Sequence, residues 1–147
     1  IKLCAPEVIA QGNIFGGRMS QIKVFGLRTH LMPLRAQMSD VIHSCVVDAL
    51  QFPVDKRAHR FIHLDQDDFF YPNGRSEAYT IIEITMMAGR TKDTRKALIR
   101  LLFDRIEAQL GIRQHDLEVC IIESPPENWG FRGQHGDEVV LNYNINV

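Results

Sequence analysis

The chain has 147 residues, of which 45% are hydrophobic and 24% charged, and its formal net charge is −1. This length suits one domain with its own core, and the balance is that of an ordinary globular protein. A net charge near zero excludes a broad basic surface, so nucleic acid is not an expected partner. No run approaches the ~20 apolar residues that span a bilayer, so we expect no membrane partner either. Three cysteines without paired spacing predict reduced thiols and a cytoplasmic protein.

The first 18 residues differ from the rest of the chain. They carry neither the basic region nor the long apolar run of a signal peptide, whereas Met19 is followed almost at once by a strand pattern. We expect residues 1–18 to be a leader or upstream read-through outside the fold, and residues 19–147 to form a single domain. The alternative is a genuine, poorly ordered arm.

The first half of the domain reads as strand, helix, strand. Alternation predicts a strand at 21–27, and an apolar stripe predicts a helix from about 33 to 51, with Pro33 at its first position. Pro53 ends that helix, and a second strand is predicted at about 59–64. A loop rich in turn residues then leads to the second half.

The second half repeats this order. A strand begins at Thr80, Gly89 ends it, and a helix runs from the N-cap residue Thr91 to the C-cap residue Gly111. A fourth strand is predicted at about 117–123. The two halves are offset by about 60 residues, so this is one internal duplication of a β-α-β unit.

The duplication predicts an α/β fold with a four-stranded sheet. Right-handed crossovers place both helices on one sheet face. The other face is apolar and uncovered, which predicts an oligomer. Residues 140–147 alternate as a C-terminal strand with no place in its own sheet, so we expect it to pair with a neighbouring subunit.

The start of the second helix has an unusual charge. The basic side chains Arg90, Lys92, Arg95 and Lys96 crowd a helix end where the macrodipole is already positive and acids are preferred. Asp93 is the only acid among them. Free N–H groups and arginine together bind carboxylates or phosphates, so we expect a small anionic ligand.

The six histidines do not suggest a metal site. His59 and His63 share a strand face, but no HxH, HExxH or Cys–His spacing accompanies them. We therefore expect neither a metal nor a cofactor.

Three motifs carry a resemblance to a known family. These are GRS at 74–76, AGRT at 88–91 and ENWGF at 127–131. With the duplicated β-α-β unit, they resemble the tautomerase superfamily, in the branch of 4-oxalocrotonate tautomerase and malonate semialdehyde decarboxylase. The resemblance covers about residues 20–131 and implies a homotrimer of β-α-β-β-α-β protomers.

The resemblance assigns the catalytic position to Ser20. Family enzymes use an amino-terminal proline there as acid or base, and this chain has serine. If the chain starts at Ser20, its α-amino group titrates near ~7.7–8.0 and can serve as a base. If the preceding residues are retained, the nitrogen is an amide and cannot.

The resemblance also implies a set of binding residues. Arg90 matches the arginine that binds the substrate carboxylate, while the decarboxylase's second arginine is replaced by Ala88. The acid that activates water in the decarboxylase falls on Lys56, with Asp55 beside it. Decarboxylation is therefore less expected than simple isomerisation. For Arg90 the alternative is a surface arginine or an intersubunit salt bridge.

Two aromatic residues and one further arginine complete the predicted site. Trp129 and Phe131 match the aromatic wall of the family's pocket, although they could instead fill the core or a trimer contact. Arg75 could pin its own loop or reach a neighbouring active site. The function implied is keto–enol isomerisation of a small carboxylate; the alternative is a catalytically silent trimer that binds a small anion or a protein partner.

Overall fold

A single mixed sheet organises the computed structural model, which describes residues 20–138 and Val147. The four strands are β1 (Ser20–Leu27), β2 (His59–Leu64), β3 (Thr80–Met87) and β4 (Leu117–Ser124). Their order is β2-β1-β3-β4, with β1 parallel to β2, β3 parallel to β4 and the two inner strands antiparallel. The predicted four-stranded duplicated sheet is confirmed.

Two helices cover one face of this sheet. They are α1 (Arg28–Leu50) and α2 (Lys92–Leu110), and they pack against each other as well as on the strands. The core between the layers is closed by apolar side chains from both helices and the inner strands. Its fully buried members include Ile22, Val24, Leu31, Met38, Ile42, Ile82, Ile84, Met86, Leu98 and Leu102.

The first helix starts earlier than the sequence predicted. It begins at Arg28, directly after β1, and contains Pro33 rather than starting with it. The reason is packing: Leu31 is fully buried, and a Cβ built on Gly26 would lie 3.3 Å from its Cδ2. Burial of Leu31 against the strand holds the first helical turn in place, and this outweighs the hydrogen bond that proline cannot donate.

The second helix has the predicted ends. Thr91 accepts a hydrogen bond from the Thr94 N–H at 3.2 Å, as an N-cap residue does. Gly111 has φ 72°, and its N–H donates to the Glu107 carbonyl at 3.0 Å, which is a left-handed C-cap. The tight strand-to-helix turn before Thr91 therefore holds the start of α2 against the end of β3.

The second sheet face carries no helix in the described part of the chain. Alternation along the strands places apolar side chains there, and several of them are not fully buried, among them Phe25, Ile62, Ile81 and Ile122. Ile122 is 43% exposed. The uncovered apolar face predicted from the sequence is thus present.

The chain after β4 forms a compact loop. It runs through a short 3-10 turn (Pro126–Asn128) into two-residue strands β5 (Gly130–Phe131) and β6 (Gln134–His135). The C-terminal strand predicted for 140–147 and the leader predicted for 1–18 lie, except for Val147, outside the described residues. The Val147 carbonyl accepts a hydrogen bond from the Thr91 N–H. None of the helices described is long and apolar enough to cross a bilayer.

Candidate active site

One edge of the sheet gathers most of the predicted site. Because β1 and β3 are antiparallel, the start of β1 meets the end of β3, where Ser20 pairs with Met86. Because β4 is parallel to β3, its end lies at the same edge, where Met86 pairs with Glu123. The start of α2 follows β3 directly. The topology therefore brings Ser20 and Arg90 together, although they are far apart in sequence.

Arg90 is buried at this edge rather than displayed on the surface. The residue is only 3% exposed, and Nη1 lies 4.0 Å from the Met86 Sδ. The Arg90 carbonyl accepts a weak hydrogen bond from Arg95 Nη1 at 3.5 Å. A buried guanidinium at the N-terminus of a helix favours an anion beside it.

Ser20 lies at the same edge, at the start of β1. It is 4% exposed, and its Oγ has no hydrogen-bond partner within the described residues. Its side chain is on the helix-covered face, in line with Ile22 and Val24. The structure therefore places Ser20 beside Met86, the residue that Arg90 contacts.

Glu123 also lies at this edge, although it was not predicted from the sequence. Arg95 Nη1 donates to Glu123 Oε1 at 2.5 Å, and the two side chains are 31% and 25% exposed. Glu123 Oε2 is buried and has no hydrogen-bond partner within residues 20–138 and Val147. The available signal was the period of the strand: Leu117, Val119 and Ile121 face the core, and a carboxylate comes next on the same face.

Trp129 is held against the same edge by backbone contacts. Its indole N–H donates to the Ser124 carbonyl at 3.2 Å, and its carbonyl accepts from the Gly136 N–H at 2.7 Å. Phe131 is 6% exposed and belongs to the main core. Trp129 thus lies at the edge of the sheet beside Ser124, whereas Phe131 anchors the loop after β4 in the core.

The structure places the two remaining candidates, Asp55 and Arg75, at opposite edges of the sheet. Asp55 is exposed in the turn before β2, 4.0 Å from Lys56 Nζ, and this turn lies at the Ser20 edge because the Ile22 N–H donates to the Ala58 carbonyl at 2.9 Å. Arg75 precedes β3 and so lies at the other edge, roughly 20 Å away along the strand.

Arg75 has a local environment of its own. Its Nη1 lies 3.3 Å from His115 Nε2, its Nη2 lies 3.9 Å from Glu118 Oε2, and its guanidinium carbon lies 5.9 Å from the Tyr79 ring centre. These contacts support the alternative in which Arg75 holds its own loop in place. Within one protomer Arg75 does not meet Arg90.

Two histidines of β2 have pKa values that burial lowers. Burial, followed by the charges of Arg57 and His43, lowers the pKa of His59 to about 4. The His59 Nδ1 lies 2.8 Å from Ser39 Oγ. Burial also lowers the pKa of His63. Among the residues described, no three histidine, cysteine or acidic side chains are arranged to hold a metal ion.

Comparison with known proteins agrees with this architecture. A family model described as tautomerase enzyme matches residues 56–132. The probable tautomerase YrdN of Bacillus subtilis strain 168 is 30% identical over 115 residues, which cover 71% of this chain and 88% of YrdN. The probable tautomerase YusQ of the same strain is 26% identical over 100 residues, covering 65% of this chain and 79% of YusQ.

Solved structures show the same fold. Malonate semialdehyde decarboxylase superposes with a TM-score of 0.70 at 21% identity, covering 78% of this chain and 92% of that one. A fused 4-OT trimer superposes with a TM-score of 0.71 at 23% identity, covering 80% and 96%. The fold and its basic edge define an α/β protein of the duplicated β-α-β class. The chain belongs to the tautomerase family, which confirms the resemblance seen in its motifs.

Proposed function

We propose that this protein is a tautomerase that moves a proton between the keto and enol forms of a small carboxylate. Family membership supports tautomerase-like activity in general. The observation that carries the proposal is Arg90, buried at the start of α2 and in contact with the residue that pairs with Ser20. A cation beside a proton-transfer position suits an oxo-acid and its enol.

In this proposal Arg90 binds and orients the substrate carboxylate. A guanidinium matches a carboxylate with two parallel hydrogen bonds, and the helix end adds positive potential. Ser20, if it is the chain terminus, accepts and returns the proton through its amine. Trp129 shields the site from water, and Phe131 holds the Trp129 loop in place. Ala88 supplies no second cation, which favours isomerisation over decarboxylation.

We further propose that the protein works as a homotrimer in the cytoplasm, with the site at a subunit boundary. The uncovered apolar sheet face supports an assembly, and the similar fused 4-OT structures are trimers. Arg75 would then approach the site of a neighbouring subunit, with Asp55 at the rim of its own. The free thiols of Cys45 and Cys120 fit a reducing compartment.

Turnover of a phenylenolpyruvate-type enol tests the activity. The wild type should convert the enol to the ketone, which is measured as the loss of the enol's ultraviolet absorbance. We expect Arg90→Ala to lower kcat/KM by about 30-fold or more, since truncation of a buried charge partner costs roughly 2 kcal/mol or more. Arg90→Lys should recover only part, because it keeps the charge without the planar fork.

Arg113→Ala is the matched control, because Arg113 is exposed beyond the far end of α2. Equal rates for the wild type and Arg90→Ala would remove Arg90 from the site. No turnover by any folded form would instead favour the silent trimer that binds a small anion or a partner. Intact mass of the mature protein decides the role of the Ser20 amine: a chain that begins before Ser20 excludes it.

A further inference from the structure

Glu123 places a carboxylate at the edge of the sheet that holds Arg90. Its position on the strand faces the core, where an apolar side chain is usual. Glu123 follows Leu117, Val119 and Ile121 on the helix-covered face of β4. Its side chain is 25% exposed, so three quarters of its surface is removed from water. A largely buried carboxylate needs specific partners, and Glu123 has only one such partner in the described chain.

That partner holds one oxygen and leaves the other available. Arg95 Nη1 donates to Oε1 at 2.5 Å and also reaches the Arg90 carbonyl at 3.5 Å, so the pair is tied to the start of α2. Oε2 is buried and accepts no hydrogen bond from any described residue. A buried acceptor without a donor is unfavourable unless a ligand supplies the missing proton or donor.

A second oxygen without a hydrogen-bond partner in the described chain lies at the same edge. Ser20 Oγ is buried and lacks a hydrogen-bond partner in the described structure. Ser20 and Glu123 are the two neighbours of Met86 across the sheet, so their backbones are roughly 10 Å apart. Arg90 contacts Met86 between them. A small carboxylate bound by Arg90 would therefore lie at the edge that also holds Ser20 Oγ and Glu123 Oε2.

We propose that Glu123, in place of the Ser20 amine, is the proton-transfer residue of this site, with Arg95 as the residue that positions it; the inference rests on the proposed tautomerase function. Glu123 Oε2 takes the proton of the enol hydroxyl, so that the O–H bond breaks and the C=O bond forms. The C=C electron pair then takes that proton back from Oε2 onto carbon. The carboxylate is regenerated and no co-reactant is consumed. This assignment needs no free amine at Ser20.

Kinetics of Glu123→Gln test the assignment. The amide has the shape of the carboxylate and can still accept from Arg95, but it cannot carry the proton. With the phenylenolpyruvate-type enol, we expect kcat to fall by about 10²- to 10⁴-fold while KM changes less than about threefold. Glu107→Gln, the same change at an exposed position of α2, is the control and should match the wild type.

Binding of benzoylformate shows whether each variant retains the site. This oxo-acid has no hydrogen that can enolise, so calorimetry reports carboxylate binding alone. Unchanged affinity in Glu123→Gln with the loss of kcat supports the proposal. Unchanged kcat overturns it while wild-type turnover keeps the proposed function, and absence of wild-type turnover overturns both. If Glu123→Gln does not fold, Glu123→Asp decides: reduced kcat with unchanged benzoylformate affinity supports the role, and wild-type kcat overturns it.

Discussion

Single residues at the active edge show how local environment, rather than residue type, decides chemistry. Arg90 and Arg95 are close in sequence, but Arg90 is buried at the start of α2, whereas Arg95 is tied to Glu123. In the proposed mechanism the first arginine binds an external carboxylate. The second holds a carboxylate that the chain supplies itself.

The partly buried His59 predicts loss of stability in mild acid. Its pKa falls from 6.5 to about 4 because burial, Arg57 and His43 disfavour the charged ring, while Asp40 opposes them. The unfolded chain takes up a proton below about pH 6.5, and the folded protein does so only near pH 4. This group's contribution is therefore complete above pH 6.5 and is lost as the pH falls towards 4, by about 3 kcal/mol at most.

Urea unfolding at a series of pH values from 7 to 4.5 measures this effect. His59→Gln removes the titration, so its free energy of unfolding should fall less steeply over that range than that of the wild type. His30 and His63 also have lowered pKa values from burial, so some slope will remain in the variant. Parallel curves for the two proteins would contradict the assignment to His59.

At the scale of elements, the loop after β4 depends on one glycine. A Cβ on Gly136 would lie 2.7 Å from the Trp129 Cβ and would also strike the Pro126 carbonyl. We expect Gly136→Ala to displace Trp129, to cost about 1–3 kcal/mol through overpacking and to reduce turnover. Trp129 is the only tryptophan in the chain, so its fluorescence emission reports the displacement directly.

Gly111→Ala is the matched comparison for that substitution. Gly111 has φ 72° but nothing within 4 Å of an added Cβ, so its replacement strains the backbone without crowding a neighbour. It should cost about 1 kcal/mol and leave Trp129 emission unchanged. An emission shift of equal size in both variants would show that Gly136 does not hold Trp129 in place.

Periodicity and turn signals predicted the elements well and the site only partly. The four strands, the Thr91 cap and the Gly111 cap follow from local pattern, because each depends on neighbours in sequence. The start of α1 was predicted too late because burial of Leu31 is a tertiary effect that overrides the proline signal. Glu123 was not predicted for the same reason, because its ion pair is with Arg95, 28 residues away in the sequence.

For the whole molecule, the uncovered sheet face predicts how the assembly can be broken. Ile81 lies in a central strand on that face, beside Phe25 of β1. We expect Ile81→Lys to convert the proposed trimer to a monomer of 16.8 kDa, because a subunit contact would have to bury the new charge. Sedimentation velocity measures the change.

Val54→Lys is the control for that variant, since Val54 is 73% exposed in the turn before β2 and does not belong to the uncovered sheet face. It should sediment as the wild type does. If Ile81→Lys also keeps the wild-type sedimentation coefficient, the uncovered face is not the assembly surface. If the wild type is itself a monomer, the proposed trimer is wrong.

The duplicated fold has an equivalent helix start at the opposite edge of the sheet. There the arginine is paired with a carboxylate of the same chain. Arg28 begins α1 as Arg90 precedes α2, but Arg28 Nε donates to Asp65 Oδ1 at 3.1 Å, just beyond the end of β2. Asp65 therefore acts as a built-in counter-ion at that copy. The Arg28 copy is therefore neutralised by a carboxylate of the described chain, so the proposed anion site is expected at the Arg90 copy.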